Sequence, residues 1–171
     1  MFEFVKRLLP ARASAPVVLL FLDVDGVLNS QATREDGDHL PAPMLLDNLA
    51  RIVECTGTQI VLSSTWRERE HTLRAVELAL ASRQLTLLSS TPDLTTTGDR
   101  VDEILQWMQQ PELAVEAWIA LDDMNLMKMN SKLDAAHFVR TDDAVGLTRD
   151  KAEEAITKLL AQRNAKAASA Q

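Results

Sequence analysis

An α/β fold, a Rossmann-like parallel sheet of about five strands with helices on both faces and no large cap domain, is predicted by three features of the sequence. Strand-like and helix-like segments alternate along the 171 residues, the pattern of a sheet built from crossover units. The strand-like segments are almost wholly apolar, as strands covered on both faces must be. Glycines and prolines fall between the segments, and no gap between them is long enough for a second domain.

The first strand is "VVLLFL", residues 17 to 22. A polar stretch follows, "NSQATREDGDHLPAP", broken at Gly37, Pro41 and Pro43 and long enough only for a hairpin-like flap. "MLLDNLARIVECTG" places Leu45, Leu49, Ile52 and Val53 on one helical face and stops at Gly57, a residue suited to a helix C-terminus. "TQIVLSS" is the second strand, and "WREREHTLRAVELALASR" reads as one helix with Leu73, Val76 and Leu80 inward. "QLTLLSS" is a weaker third strand, and the loop "TPDLTTTGD" leads into the helix "RVDEILQWMQ" with Val101, Ile104, Leu105 and Met108 on one side. "VEAWIALDD" and "AHFVRT" supply the fourth and fifth strands, separated by a Met-rich stretch. The last helix opens near Thr148 and runs through Ala152, Ile156, Leu159 and Leu160. The expected organisation is an extension over residues 1–16, one domain over 17–163, and a frayed tail over 164–171.

Apolar residues make up 46% of the chain and charged residues 25%, an ordinary globular balance. A net charge of -7 argues against nucleic-acid binding through a broad basic face, while a local basic rim stays open. Cys55 is the sole cysteine, which excludes an intramolecular disulfide and a cysteine-rich zinc site and leads us to expect a reducing, cytoplasmic compartment. The basic residues before "VVLLFL" superficially suggest a leader, but no small-residue cleavage site follows the short apolar run. "FEFVKRLL" is expected to be a short amphipathic helix packed on the body. No segment reaches the roughly 18 apolar residues that a membrane span needs.

Three strands end in polar residues: Asp23 and Asp25, Ser63 and Ser64, Asp122 and Asp123. In an open parallel sheet the ligand site lies beyond the carboxyl ends of the strands, so these groups converge on one edge. Four acids together would repel and weaken a fold unless a cation offset them. Magnesium, a hard cation that prefers oxygen ligands, suits such a set. Alternation along an extended chain points Asp23 and Asp25 the same way, and Gly26 permits a sharp turn after them. A calcium loop is excluded, because Val27 and Leu28 stand where D-x-[DN]-x-[DN]-G requires an acid or amide and a glycine.

"FLDVDGVLN", "IVLSSTWR" and "WIALDD", in this order and at strand ends, resemble the first, second and fourth motifs of the haloacid dehalogenase-like (HAD) phosphohydrolase superfamily. The resemblance covers roughly residues 17 to 149. It implies an uncapped, magnesium-dependent phosphatase in which Asp23 is the nucleophile and forms an aspartyl-phosphate. Asp25 would protonate the leaving oxygen and then deprotonate water. Magnesium would be held by the Asp23 carboxylate, the Asp25 main-chain carbonyl and Asp123, with Asp122 in support. Ser63 would donate to a phosphoryl oxygen, with Ser64 the alternative. The lysine usual in this superfamily is missing, since none lies between Lys6 and Lys128; Arg100 takes its place by position, and Arg67 is next. The Trp-Arg pair after the second motif and "FVRTDDAVGLT" further resemble the HAD domains attached to RNA-repair proteins.

An uncapped site implies a phosphorylated substrate that can be large, a nucleic-acid end or a phosphoprotein, unless a partner subunit closes it over a metabolite. A non-catalytic phosphate- or metal-binding module and a phosphotransferase or mutase are the rival readings. Elsewhere plain structural roles are expected. Arg67, Arg69 and Arg74 read as a solvated helix face, and Trp66 reads as core. Met124, Met127 and Met129 should fill a core gap, and Cys55 should be buried. His39, His71 and His137 lack ligand spacing.

Overall fold

The computed structural model describes residues 15–34 and 40–169. The expected helix "FEFVKRLL", most of the extension, His39 and the tip of the flap lie outside the described residues. Five strands, β1 (Val17–Leu22), β2 (Gln59–Leu62), β3 (Leu87–Ser90), β4 (Val115–Asp122) and β5 (Phe138–Arg140), form one all-parallel sheet in the order β3-β2-β1-β4-β5. The α-helices are α1 (Pro43–Thr56), α2 (Glu70–Ala81), α3 (Arg100–Met108), the single turn α4 (Leu126–Met129) and α5 (Arg149–Ser169).

The alternation of side chains along the strands divides the core in two. Val18, Leu20 and Leu22 of β1 join Ile60 and Leu62 of β2 and Ile119 and Leu121 of β4 on one face. Leu46, Leu49 and Ile52 of α1, Val76 and Leu80 of α2, and Ala152, Ile156 and Leu159 of α5 cover that face. Leu19, Phe21, Val61 and Ala120 point the other way, onto Val101, Ile104 and Trp107 of α3. Helices therefore lie on both faces, as right-handed crossovers from a central β1 require. The strand order reverses between β1 and β4, so a crevice opens at their carboxyl ends.

Helix α1 stops as expected, at Gly57 in the left-handed conformation, whose N–H donates to the Val53 carbonyl at 2.8 Å. Three expectations are corrected. The segment from Trp66 to Arg83 is not one helix: a 3-10 turn over Thr65–Glu68 is separated from α2 by Arg69 in an extended conformation. The Ser64 hydroxyl caps that turn, and the Thr72 hydroxyl donates to the carbonyls of Trp66 and Arg69. Helix α5 runs to Ser169, past the boundary expected at residue 163, because its alanine-rich end favours helix and Lys166 Nζ donates to the Val115 carbonyl. Cys55, Met124, Met127 and Met129 are exposed rather than buried. Met124 and Met129 instead line an open cleft beyond the end of the fourth strand.

Candidate active site

The period of two that organises the core also places the acids. Asp23 continues the Leu19 and Phe21 side of β1, and Asp122 continues the Ala120 side of β4, so both emerge above α3. An aspartate capping box holds the start of α3: Asp99 Oδ1 accepts from the N–H groups of Val101 and Asp102, and Asp102 Oδ2 accepts from the Asp99 N–H. Arg100 thereby opens the helix directly under the two acids. Its Nη1 lies 3.2 Å from Asp23 Oδ1 and donates to Asp122 Oδ2 at 3.0 Å.

Asp123 points the other way from its neighbour and reaches the turn after β1. In that turn the Val24 carbonyl accepts from the N–H groups of Val27, Leu28 and Asn29, with Gly26 in the left-handed region at φ 72°. A Cβ on Gly26 would sit 2.6 Å from Asp123 Cβ and Cγ, so the glycine is needed for space as well as for conformation. Carboxylate oxygens of Asp23, Asp122 and Asp123 all lie within 4.8 Å of one another. Three hard oxygen donors at this spacing, two of them on buried residues, fit a divalent cation. Asp122 already accepts from Arg100 and from the Met124 N–H, which leaves Asp123 the more available of the pair.

The electrostatics express the crowding. Burial raises the Asp23 carboxyl above its ordinary range, opposed by the Arg100 guanidinium. Burial and the Asp23 charge raise Asp122 to about 7, again opposed by Arg100. Burial raises Asp123 as well. The acids press Arg100 to stay charged: despite its burial its pKa is raised further.

Asp25 has a different setting. Trp66 Nε1 donates to its Oδ2 at 2.8 Å and Asn29 Nδ2 to its Oδ1 at 2.9 Å. Both serines are buried at the end of β2: the Ser63 N–H is bonded to the Leu22 carbonyl, and the Ser64 hydroxyl accepts from the Trp66 N–H at 3.4 Å. The segment "FVRTDDAVGLT" closes the site from the side: Thr141 Oγ1 donates to the Gly26 carbonyl, and the Leu147 N–H to the Val27 carbonyl.

Arg67 is not on a solvated face. Its side chain is 6% exposed, and Nη2 donates to Glu103 Oε1 at 2.9 Å and to the Pro92 carbonyl. Together with Arg100, Thr65, Gly98, Met124 and Met129 it lines a cleft of about 110 Å³ beside the acids. Trp66 packs against the core as expected, but its indole N–H also reaches Asp25. Arg67 is the residue that sequence reasoning misplaced; the signal was its position just after the second strand's serines.

Residues 19–152 match the family described as the HAD domain in Swiss Army Knife RNA repair proteins. The chain belongs to this family. The match spans the acid-bearing ends of β1 and β4, the turn after β2 and the start of α5, so the whole HAD site described above lies within it. No curated protein matches the chain. Among the described residues, no helix is long and apolar enough to cross a membrane.

Proposed function

We propose that this HAD domain is a magnesium-dependent phosphatase that hydrolyses a phosphomonoester through a phosphorylated Asp23. The observation that carries the reading is the meeting of Asp23, Asp122 and Asp123, with Arg100 bridging two of them. Magnesium would be held by the carboxylates of Asp23 and Asp123 and the main-chain carbonyl of Asp25, with Asp122 in support. When bound, it supplies positive charge that offsets the acids and the phosphoryl oxygens. An Asp23 oxygen bonds to phosphorus while the bond to the leaving oxygen breaks, and Asp25 gives that oxygen its proton. Asp25 then takes a proton from water, whose oxygen bonds to phosphorus and frees Asp23 and inorganic phosphate. Arg100 balances the transferring charge, and Ser63, or Ser64 beside it, donates to a phosphoryl oxygen.

The open cleft with its exposed methionine rim leaves room for a large leaving group. Membership of a family described from RNA repair proteins supports a phosphorylated nucleic-acid end over a phosphoprotein. With a net charge of -7, contact with such an end falls to local cations such as Arg140, whose Nε donates to the Asp123 carbonyl at 2.8 Å.

The test is hydrolysis of p-nitrophenyl phosphate and of 3′- and 5′-phosphorylated oligonucleotides with magnesium and with a chelator. Turnover should require magnesium, stop on chelation and return when the metal is restored. Absence of turnover on every ester at saturating magnesium rejects the proposal. Gly26→Ala supplies a second check on the ligand set. The left-handed backbone should cost about 1–2 kcal/mol, and displacement of Asp123 should weaken magnesium binding roughly 10-fold or more. Unchanged metal affinity in a titration calorimeter removes Asp123 from the ligands.

A further inference from the structure

The carboxylate of Asp25 is not one of the three that converge as a cation site. It follows Asp23 by two residues on the same turn, so something must hold its side chain apart from the others. Two donors do so from opposite sides. Trp66, on the turn after β2, donates its indole N–H to Oδ2 at 2.8 Å, and Asn29, at the end of the turn after β1, donates its amide to Oδ1 at 2.9 Å. Neither donor can be reversed. An indole nitrogen only donates. The Asn29 amide is oriented because its Oδ1 accepts from Arg34 Nη2 at 3.0 Å and from the Gly26 N–H at 3.3 Å. Arg34 is itself anchored on Asp143 Oδ1 at 2.9 Å. The Trp66 ring packs against the main core, which fixes the direction of its N–H.

The chemistry of these donors matters as much as their placement. Both are neutral, so they aim the carboxylate without compensating its charge as an arginine would. Each oxygen keeps a further lone pair, so one can carry a proton while both hydrogen bonds persist.

We propose that Trp66 and Asn29 are positioning residues that keep Asp25 out of the cation-binding cluster and aim it at the leaving-group oxygen. This inference rests on the phosphatase reading above. The step it serves is proton transfer from Asp25 to the departing alkoxide as Asp23 bonds to phosphorus. An alkoxide requires that proton, whereas p-nitrophenolate departs without it.

The experiment compares kcat/KM for glycerol 2-phosphate and p-nitrophenyl phosphate in the wild type, Trp66→Phe and Asn29→Ala, with melting temperatures measured alongside. Trp66→Phe keeps a ring and removes the N–H; Asn29→Ala removes the second donor and covers the case in which the first variant does not fold. Either folded variant should lose about 10-fold to 100-fold on glycerol 2-phosphate while staying within about threefold on p-nitrophenyl phosphate. Equal losses on both esters, or no loss on either, overturn the positioning role and leave the phosphatase reading standing. A wild type that turns over neither ester overturns both.

Discussion

Asp23→Asn is expected to abolish phosphomonoester hydrolysis while making the metal-free protein more stable. The amide has the shape of the carboxylate but cannot attack phosphorus, and loss of a nucleophile lowers turnover by roughly 10⁴-fold or more. The stability gain follows from the setting of the group. Burial raises the Asp23 carboxyl, so the folded state favours its neutral form. A raised carboxyl contributes most to stability at low pH, and that contribution is lost as pH rises above the ordinary carboxylate range. The amide never ionises, so its advantage should appear at pH 8 and shrink toward pH 4. Steady-state assays, with urea unfolding at both pH values in chelator, check the two halves together. Residual activity above about one per cent of wild type excludes Asp23 as the nucleophile. A variant less stable than wild type at pH 8 contradicts the account of the acid cluster.

Arg100→Ala should act in the opposite sense. It strands two acids, Asp23 and Asp122, that are almost inaccessible to water and now face each other without their shared cation. Removing one partner of a buried pair costs about 3–5 kcal/mol, and loss of a preorganised charge at the transferring group should lower kcat by roughly 10²-fold to 10³-fold. The sign of the pH dependence is set by Asp122. With its pKa at about 7 in the folded state, it carries a proton between the ordinary carboxylate range and neutrality that the unfolded chain has released. The stability lost with Arg100 should therefore be larger at pH 8, where the acids are charged, than at pH 5. Saturating magnesium should restore part of it. Denaturant unfolding at the two pH values, with and without the metal, measures both effects. An equal loss at pH 5 and pH 8 means that Arg100 is not offsetting these acids.

The parts of the site legible in the sequence are those marked by local pattern. Asp23 and Asp122 could be placed because each stands at the end of a nearly continuous apolar run, at the carboxyl edge of a parallel sheet. Arg100 could be placed because a helix start follows a polar loop at the correct sheet edge. Arg67, and the hydrogen bond that Trp66 makes beside its expected core packing, were missed for the converse reason. "WREREHTLRAVE" has continuous helical character, yet Arg69 is extended, and Trp66 and Arg67 before the break are bonded across the fold. Arg67 is buried by Glu103, 36 residues away, and Trp66 is claimed by Asp25, 41 residues away. No local pattern encodes such partners. The methionines after β4 failed for a related reason: their apolar character suggested a core, but the short turn α4 delivers only Leu126 to it. The end of α5 was misjudged because an alanine-rich stretch with few bulky residues reads equally as tail and as helix.

The strand order has a consequence for the birth of the molecule. β1, β2 and β3 pair side by side in the order in which they are made, whereas β4 must cross back to the far side of β1. The first acid therefore waits unopposed through the synthesis of the intervening hundred or so residues, and electrostatic conflict arises only when β4 docks. Divalent ions in the surrounding solution should hasten that last docking event and leave the earlier pairing of β1 to β3 untouched.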